Sequence, residues 1–275
     1  MSLATTAKSQ EVKTALVTGG ARGLGLEFSR RLAGLGMNVA MVDLDLNGAQ
    51  KFPEEAETMV GATVEEEVRR FDVEAIAHQA DAADWEGMRG IVADVLARWG
   101  RLDVVICNAG GGVEGLGGGL PSELDAERLM AILQRNLVST VATCVAAAPA
   151  MCERGEGTII TLTSHAGLAV TPDPVYADYA ASKAAVAIYT RYLAQELGPH
   201  GITVNSIAPG YIATGRVGAG LRAAGIEKFE QQAALRRVGE PRQIADLVEF
   251  LVGDHARFIT GQVIGVDGGV LRGPS

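Results

Sequence analysis

The stretch TALVTGGARGLG at Thr14–Gly25 decides the fold of this chain. Its first five residues, TALVT, are apolar or β-branched and predict a buried strand ending at Thr18. Glycines follow at Gly19, Gly23 and Gly25, and the apolar spacing over 24–34 predicts a helix. Glycine lets the backbone approach a pyrophosphate closely, and the helix N-terminus offers free N–H groups to the anion. The stretch therefore predicts the phosphate loop of a dinucleotide-binding α/β fold.

The same alternation of a short apolar run, a turn and a longer amphipathic stretch continues along the chain. Further strands are predicted over 38–42, 75–80, 104–107, 158–163, 202–207 and 263–266, and further helices over 84–99, 126–154 and 179–197. This order predicts a doubly wound Rossmann fold, a seven-stranded parallel sheet with helices on both faces. We find no linker, and we expect a flexible tail over 1–10 and a single domain over 11–275.

Composition and charge exclude several classes of function. The net charge is −9 and the pI is near 5.0, which disfavours a nucleic-acid surface and attraction to an anionic membrane. No uninterrupted run of about 18 apolar residues is present to span a bilayer. The four histidines show no metal-ligand spacing, so no metal is expected. The three cysteines, Cys107, Cys144 and Cys152, form no C-x-x-C motif, which favours a reduced, cytoplasmic protein.

Two segments have an unusual composition. Residues 49–74 are strongly acidic, and we expect them to form a solvated helix and loop on the surface. Residues 110–120 contain seven glycines and predict a tightly turned or mobile loop.

Asp43 ends the second predicted strand, 18 residues after Gly25. A carboxylate there can accept both ribose hydroxyls of adenosine and repel a 2′-phosphate, which favours NAD over NADP. Two alternatives stay open. Asp43 could cap the next helix, and the loop cation Arg22 could hold the 2′-phosphate of NADP.

Tyr179 and Lys183 are four residues apart and therefore share one face of a predicted helix. A nearby ammonium favours the phenolate and lowers the phenol pKa from its reference value of about 10. Such a pair can take a proton from an alcohol or deliver one to a carbonyl. Tyr176 has Ala180, not a lysine, four residues on, so we expect it only to line the pocket.

A hydrolase is a less suitable interpretation of the same region. His165 directly follows Ser164, and adjacent residues of an extended strand point to opposite faces, so a Ser–His nucleophile pair is not expected. The sequence also lacks a G-x-S-x-G nucleophile elbow.

The chain resembles the classical short-chain dehydrogenase/reductase (SDR) family from about Val12 to Gly269, because seven motifs occur in the family's order. The motifs are TGxxxGxG at Thr18–Gly25, NAG at Asn108–Gly110, the asparagine of QRNL at Asn136, the serine of TLTSHAG at Ser164, YxxxK at Tyr179–Lys183, PGYIAT at Pro209–Thr214 and GQVIGVDGG at Gly261–Gly269.

The resemblance implies four catalytic residues. Tyr179 would be the general acid/base, and Ser164 would hydrogen-bond the substrate oxygen. Lys183 would lower the pKa of Tyr179 and bind the nicotinamide ribose. Asn136 would bind a water that links Lys183 to solvent.

The resemblance also implies a set of cofactor-binding residues. Asn108–Gly110 would lie under the cofactor, Asp81 and Ala82 would face the adenine, and the Ile212 backbone with the Thr214 hydroxyl would orient the carboxamide. The full set is Gly19, Arg22, Gly23, Leu24, Gly25, Asp43, Asp81, Ala82, Asn108, Ala109, Gly110, Tyr179, Lys183, Pro209, Gly210, Ile212 and Thr214.

The leading functional hypothesis is NAD-dependent oxidation of a secondary alcohol to a ketone, reversible as ketone reduction. One alternative is an NADP-dependent reductase of 3-oxoacyl thioesters or ketones, and another is a non-catalytic dinucleotide-binding sensor. Residues 211–237 are expected to form a substrate lid, and one of its cations could meet an anionic substrate group or simply be solvated. These cations are Arg216, Arg222, Lys228, Arg236 and Arg237.

Assembly follows from the same resemblance. The predicted helices 126–154 and 179–198 carry more apolar surface than one sheet face needs, and in the family they pair across subunits. We expect a homotetramer or a homodimer.

Overall fold

A seven-stranded parallel sheet forms the centre of the computed structural model, which describes residues 11–112, 120–171 and 174–270. Its strands are β1 (Thr14–Thr18), β2 (Asn38–Asp43), β3 (Ala75–Gln79), β4 (Val104–Cys107), β5 (Gly157–Leu162), β6 (Ile202–Pro209) and β7 (Val263–Val266). They are ordered β3-β2-β1-β4-β5-β6-β7, and all neighbouring pairs are parallel. The predicted doubly wound Rossmann fold is confirmed, and each predicted strand is present.

Helices cover both faces of this sheet. They are α1 (Gly23–Gly34), α2 (Pro53–Ala56), α3 (Val64–Arg69), α4 (Trp85–Trp99), α5 (Ala126–Leu133), α6 (Ser139–Arg154), α7 (Ala177–Leu197), α8 (Gly215–Ala223), α9 (Glu227–Glu230) and α10 (Pro241–Val252). The core has two halves because successive strand residues face opposite sides. Ala15 and Val17 pack with α1, α3 and α10, whereas Leu16 packs with α4, α6 and α7.

The strand order fixes where a ligand can bind. The chain builds β1, β2 and β3 toward one edge of the sheet and then returns to place β4 on the other side of β1. In such sheets a crevice opens beyond the carboxyl ends of the strands where the order reverses. Thr18 and Cys107 end the two strands at this point.

The predicted helix over 126–154 is continuous but changes its pitch. A π-helical turn, Gln134–Val138, separates α5 from α6. By length and composition alone, Ala126–Arg154 could cross a membrane, with a mean hydropathy of 1.4. In the structure it packs instead against α4, β4 and β5, and it contributes Cys144, Ala147 and Met151 to the core.

The expectation of a merely solvated acidic segment over 49–74 is wrong in part. Glu67 of α3 is 1% exposed, and its carboxylate accepts the N–H groups of Val60 at 2.7 Å and Gly61 at 2.8 Å. It also pairs with Arg30 at 2.9 Å and Arg70 at 2.8 Å. Burial alone raises the pKa of Glu67, but these donors outweigh it and the net pKa is lowered. Glu67 therefore anchors the segment to α1.

Some predicted features lie outside the described residues. They are the tail 1–10, residues 113–119 of the glycine-rich loop, Pro172 in the loop before Tyr179, and the last five residues of the predicted domain.

Candidate functional site

A cleft of about 540 Å³ lies at the carboxyl ends of the central strands and collects the predicted cofactor residues. Gly25 is the one member of that set that does not line it, because it packs behind the loop. The cleft is lined by Gly19, Arg22, Gly23, Leu24, Asp43, Asp81, Ala82, Asn108, Ala109, Gly110, Tyr179, Lys183, Pro209, Gly210, Ile212 and Thr214. A larger depression of about 960 Å³ lies beside Arg31 and Phe250 and includes no predicted site residue.

The phosphate loop depends on glycine at each predicted position. Gly19 and Gly23 have φ values of 64° and 56°, in the left-handed region that favours glycine. A Cβ on Gly25 would overlap the Gly19 carbonyl oxygen, so only glycine permits this packing. Asn108 Nδ2 donates to the Thr18 and Gly19 carbonyls at 3.1 and 3.0 Å and holds the loop on β4.

The start of α1 suits a bound phosphate. Arg22 is its N-cap residue and makes no side-chain capping hydrogen bond among the described residues. The first turn of α1 also contains no acidic residue. A helix N-terminus attracts anions through its first N–H groups, so these residues fit the pyrophosphate of a dinucleotide.

Asp43 lies at the adenosine end of the cleft, where β2 stops. Its carboxylate accepts the Ala21 N–H at 3.1 Å and the Asp45 N–H at 3.3 Å. The next helical turn, Gly48–Lys51, begins after Asn47. Asp43 is therefore bound to the phosphate loop, and the alternative of a helix cap is wrong.

Arg22 lies beside the chain that follows β2. Its guanidinium lies 5.8 Å from the ring centroid of Phe52, and its side chain packs against Gly48. Arg22 and Asp43 both line the cleft, so the alternative in which Arg22 holds a 2′-phosphate stays open.

The catalytic candidates meet on the opposite wall of the cleft. Ser164 follows β5, and Tyr179 and Lys183 stand one turn apart at the start of α7. Lys183 Nζ lies 5.9 Å from the Tyr179 ring centroid and donates to the Leu162 carbonyl at 2.8 Å. The Ser164 hydroxyl is close enough to Tyr179 to lower the pKa of the phenol.

The pKa values at this wall are set mainly by burial. Burial lowers the pKa of Lys183 to about 8. Burial also raises the pKa of Tyr179, while the Ser164 hydrogen bond and the positive charge of Arg216 lower it, and the net direction is upward. The net direction is opposite to the lowering of the Tyr179 pKa expected from Lys183, because burial of the phenol dominates.

Asn136 lies in the π-helical turn and fixes the loop after β4. Its Oδ1 accepts the Gly111 N–H at 2.8 Å, and its Nδ2 donates to the Gly111 and Ile132 carbonyls at 3.2 and 3.0 Å. A Cβ on Gly110 would lie 2.6 Å from Asn136 Oδ1 and 3.2 Å from Lys183 Nζ. Gly110 therefore lets Asn136 and Lys183 approach the same point.

The turn after β6 forms the remaining wall. Ile212 pairs with Gly239 in an isolated bridge, and the Thr214 hydroxyl accepts the Val217 N–H at 3.4 Å at the start of α8. His165 is buried, with Nδ1 3.2 Å from the Pro209 carbonyl. His165 thus contacts this turn, in agreement with the expectation that it forms no nucleophile pair with Ser164.

The lid cations divide into two groups. Arg216 lines the cleft and interacts electrostatically with Tyr179. Arg222 pairs with Glu54, Arg236 donates to the Gln231 carbonyl at 2.5 Å, and Arg237 donates to Gln243 at 3.0 Å. Of the cations named for this segment, only Arg216 is among the described residues that line the cleft.

Sequence reasoning missed several residues of the cleft, among them Arg135 and Glu55. Arg135 lines it and donates to the Gly112 carbonyl at 2.7 Å. Its position next to Asn136 in QRNL could have indicated this. Glu55 also lines the cleft, but nothing in the sequence separates it from the other acidic residues of 49–74. Tyr176 lies in the turn before α7 and is not among the described residues that line the cleft.

No group of three or more metal-ligating side chains occurs within the described residues. The site brings together a glycine-rich loop at the start of α1, the Asp43 carboxylate at the end of β2 and the side chains of Ser164, Tyr179 and Lys183. Together these define a dinucleotide-dependent oxidoreductase.

Comparison with known proteins gives the family. The model of the family described as enoyl-(acyl carrier protein) reductase matches residues 19–271. A cyclohexanol dehydrogenase of Rhodococcus sp. (strain TK6) is 43% identical over 263 residues, covering 94% of this chain and 96% of that protein. The 3-oxoacyl-[acyl-carrier-protein] reductase FabG of Staphylococcus aureus (strain Mu50 / ATCC 700699) is 35% identical over 258 residues, covering 94% and 98%.

Solved structures agree with this. A short-chain type dehydrogenase/reductase from Mycobacterium marinum has a TM-score of 0.83 at 30% identity and covers 95% of this chain and 96% of its own. An NAD+-bound xylitol dehydrogenase has a TM-score of 0.82 at 27% identity, covering 94% and 100%. ElxO with NADP bound has a TM-score of 0.81 at 25% identity, covering 95% and 100%.

The chain belongs to the short-chain dehydrogenase/reductase family. It is an oxidoreductase that uses a nicotinamide dinucleotide, and the recognition made from seven sequence motifs is confirmed.

Proposed function

We propose that this protein oxidises a secondary alcohol to a ketone with NAD+, reversibly, and that Tyr179 is the general acid/base. The observation that carries the proposal is that Tyr179 and Lys183 line the cleft one helical turn apart, with Ser164 beside Tyr179. The cyclohexanol dehydrogenase relative supports a secondary alcohol as the substrate class.

Each catalytic side chain has one task in this mechanism. The Ser164 hydroxyl and the Tyr179 phenol hold the substrate oxygen between them. Tyr179 takes the hydroxyl proton as the carbinol carbon loses a hydride, and the C–O single bond becomes a carbonyl. When bound, the nicotinamide ring supplies the acceptor for that hydride. Lys183 stabilises the phenolate, and its pKa of about 8 suits it to return the proton toward solvent.

Asn136 contributes by position. Its side chain is bonded to the loop after β4 through both backbone groups of Gly111. We propose that Asn136 fixes the position of this loop relative to the Lys183 ammonium. We further propose that a water molecule of the proton relay binds beside both groups. The remaining members of the predicted set would bind the cofactor as the resemblance implies.

NAD is the proposed cofactor because Asp43 stands at the end of β2, bonded to the phosphate loop. A 2′-phosphate placed there would meet the carboxylate as a like charge.

The second candidate is an NADP-dependent reductase of 3-oxoacyl thioesters or ketones. The FabG relative favours it, and relatives of known structure include an NADP-bound one. Cofactor preference separates the two candidates. The hypothesis of a non-catalytic dinucleotide-binding sensor is not supported, because the chain belongs to an enzyme family and Ser164, Tyr179 and Lys183 lie close together.

Residues 211–237 are proposed as the substrate lid of a single domain that spans 11–275. Arg216 lines the cleft, and we propose as a hypothesis that it binds an anionic group of the substrate. Equal kcat/KM for neutral and carboxylated alcohols, unchanged by Arg216→Ala, would contradict it.

A homodimer or homotetramer is proposed from apolar side chains left on α6 and α7. Val145, Ile188 and Tyr192 are 38%, 49% and 73% exposed, and Phe258 is fully exposed near β7. Such surfaces mark interfaces between subunits.

A cytoplasmic location is supported by the free thiols. Cys107 Sγ and Cys144 Sγ are 3.5 Å apart and do not form a disulfide.

The test is oxidation of a panel of cyclic and linear secondary alcohols with NAD+ and with NADP+. NAD-dependent turnover that Tyr179→Phe abolishes supports the proposal. Turnover only in the direction of 3-oxoacyl reduction with NADPH supports the second candidate.

A further inference from the structure

The carboxylate of Glu55 bridges two helix N-termini that open into the cleft. Its Oε2 accepts the Gly23 N–H at 3.1 Å, and its Oε1 accepts the Gly215 N–H at 2.6 Å. Gly23 begins α1 and Gly215 begins α8. Glu55 therefore joins the phosphate loop to the segment after β6 and contributes to the lining of the cleft.

Neighbouring side chains hold Glu55 in this position. Phe52 packs on Gly215 so closely that a Cβ there would lie 2.5 Å from Phe52 Cβ. Glu54 forms an ion pair with Arg222 of α8. Helix α2 is thus docked on α8 by Phe52 and Glu54, which immediately precede Glu55, and the bridge is part of the fold and not a chance contact of one exposed side chain.

The Gly23 and Gly215 N–H groups that donate to Glu55 are of the kind that bind phosphates. The first N–H groups of a helix lie at its positive dipole end and bind carboxylates and phosphates alike. A single N–H group satisfies one of these anions at a time. A pyrophosphate entering at the start of α1 would also meet the Glu55 carboxylate as a like charge.

We propose that Glu55 is an internal competitor of the cofactor's pyrophosphate, which must displace it from the N–H groups of Gly23 and Gly215. This inference rests on the proposed function, because it requires a dinucleotide in the cleft. Glu55 then sets cofactor affinity and takes no part in the chemistry. Ligands that carry a diphosphate compete with it, whereas adenosine, which has no phosphate, does not.

The experiment compares wild type, Glu55→Gln and Glu57→Gln by titration with NADH, ADP and adenosine at one ionic strength. Glutamine keeps the size of the side chain and removes its charge. Glu57 ends the same helix and is exposed, so Glu57→Gln makes the same charge change away from Gly23 and Gly215. A Glu55→Ala variant removes the competing acceptor altogether.

We expect Glu55→Gln to bind NADH and ADP about tenfold more tightly than wild type, the scale of one charge-assisted hydrogen bond. Glu55→Ala should tighten binding at least as much, while adenosine binding and the Glu57→Gln protein should match wild type. Unchanged or weaker binding of ADP and NADH by both Glu55 variants overturns the inference, and so does equal tightening by Glu57→Gln. A wild-type protein that does not bind NADH overturns the proposed function, whereas NADH binding that both Glu55 variants leave unchanged overturns only this inference.

Discussion

The ammonium of Lys183 lies 5.9 Å from the centroid of the Tyr179 ring, one helical turn along α7. Lys183 is 4% exposed, and its Nζ donates to the Leu162 carbonyl at 2.8 Å. The lysine is thus held beside the phenol by the end of β5. The fold alone therefore fixes the position of Lys183, as a catalytic group requires.

The buried ammonium gives a prediction for stability. The pKa of Lys183 is lowered from 10.5 to about 8, so the unfolded chain binds its proton more tightly than the folded protein does. The charged form therefore destabilises the folded state fully below pH 8, and this cost fades as the pH rises toward 10.5. Lys183→Met should be more stable than wild type near neutral pH, by about 3 kcal/mol at most.

Chemical denaturation of both proteins at several pH values tests this. The stability difference should narrow by about 2 kcal/mol between about pH 7.5 and 9.5. A difference that stays constant over that range would show that the ammonium is not desolvated.

Arg216 should tune the pKa of Tyr179. Burial raises that pKa, and the Ser164 hydrogen bond and the Arg216 charge lower it. Because alcohol oxidation needs the phenolate, kcat/KM should rise with pH through the Tyr179 pKa. Arg216→Ala should move this midpoint to higher pH, and Arg216→Lys should restore it. A pH profile that is identical in wild type and Arg216→Ala would contradict the assignment.

Gly25 should tolerate no side chain. A Cβ there overlaps the Gly19 carbonyl oxygen, so Gly25→Ala must distort the phosphate loop. We expect loss of NADH binding and a stability loss of about 3 kcal/mol. The matched control is Gly90→Ala on the exposed face of α4, where a Cβ meets nothing within 4 Å. That change should stabilise by about 0.5–1 kcal/mol. Normal NADH binding by Gly25→Ala would show that the loop does not hold the cofactor.

Asp43 should determine the cofactor preference. Asp43→Ala removes the like charge that a 2′-phosphate would meet and the acceptor that the ribose hydroxyls would use. Fluorescence titration should show that wild type prefers NADH and that the variant loses most of this preference. Tighter NADPH binding by wild type would turn the search toward 3-oxoacyl and ketone reduction.

The features that could be predicted from the sequence are those set by local chemistry. The strand–turn–helix at Thr14–Gly34 needs only apolar periodicity and glycines, and Tyr179 and Lys183 share a face because helices repeat every 3.6 residues. The parallel sheet of seven strands follows from chain alternation and the family's motifs. For these parts the expectation and the structure agree closely.

The features that could not be predicted from the sequence depend on contacts between segments that are far apart along the chain. Glu55 reaches Gly215 across 160 residues, and no pattern within 49–74 marks it among the other glutamates. Glu67 is buried because Arg30 pairs with its carboxylate and two backbone N–H groups donate hydrogen bonds to it. The pKa of Tyr179 depends on burial, which sequence spacing does not report. These are properties of packing.

In the proposed function, Tyr179 performs the proton transfer in NAD-dependent oxidation of a secondary alcohol. The most direct measurement is the steady-state rate of cyclohexanol oxidation with NAD+ by wild type and Tyr179→Phe, alongside NADH binding by both. We predict a fall in kcat on the order of a thousandfold in the variant with NADH affinity retained. A variant that keeps wild-type kcat, in a protein that binds NADH normally, would contradict the account.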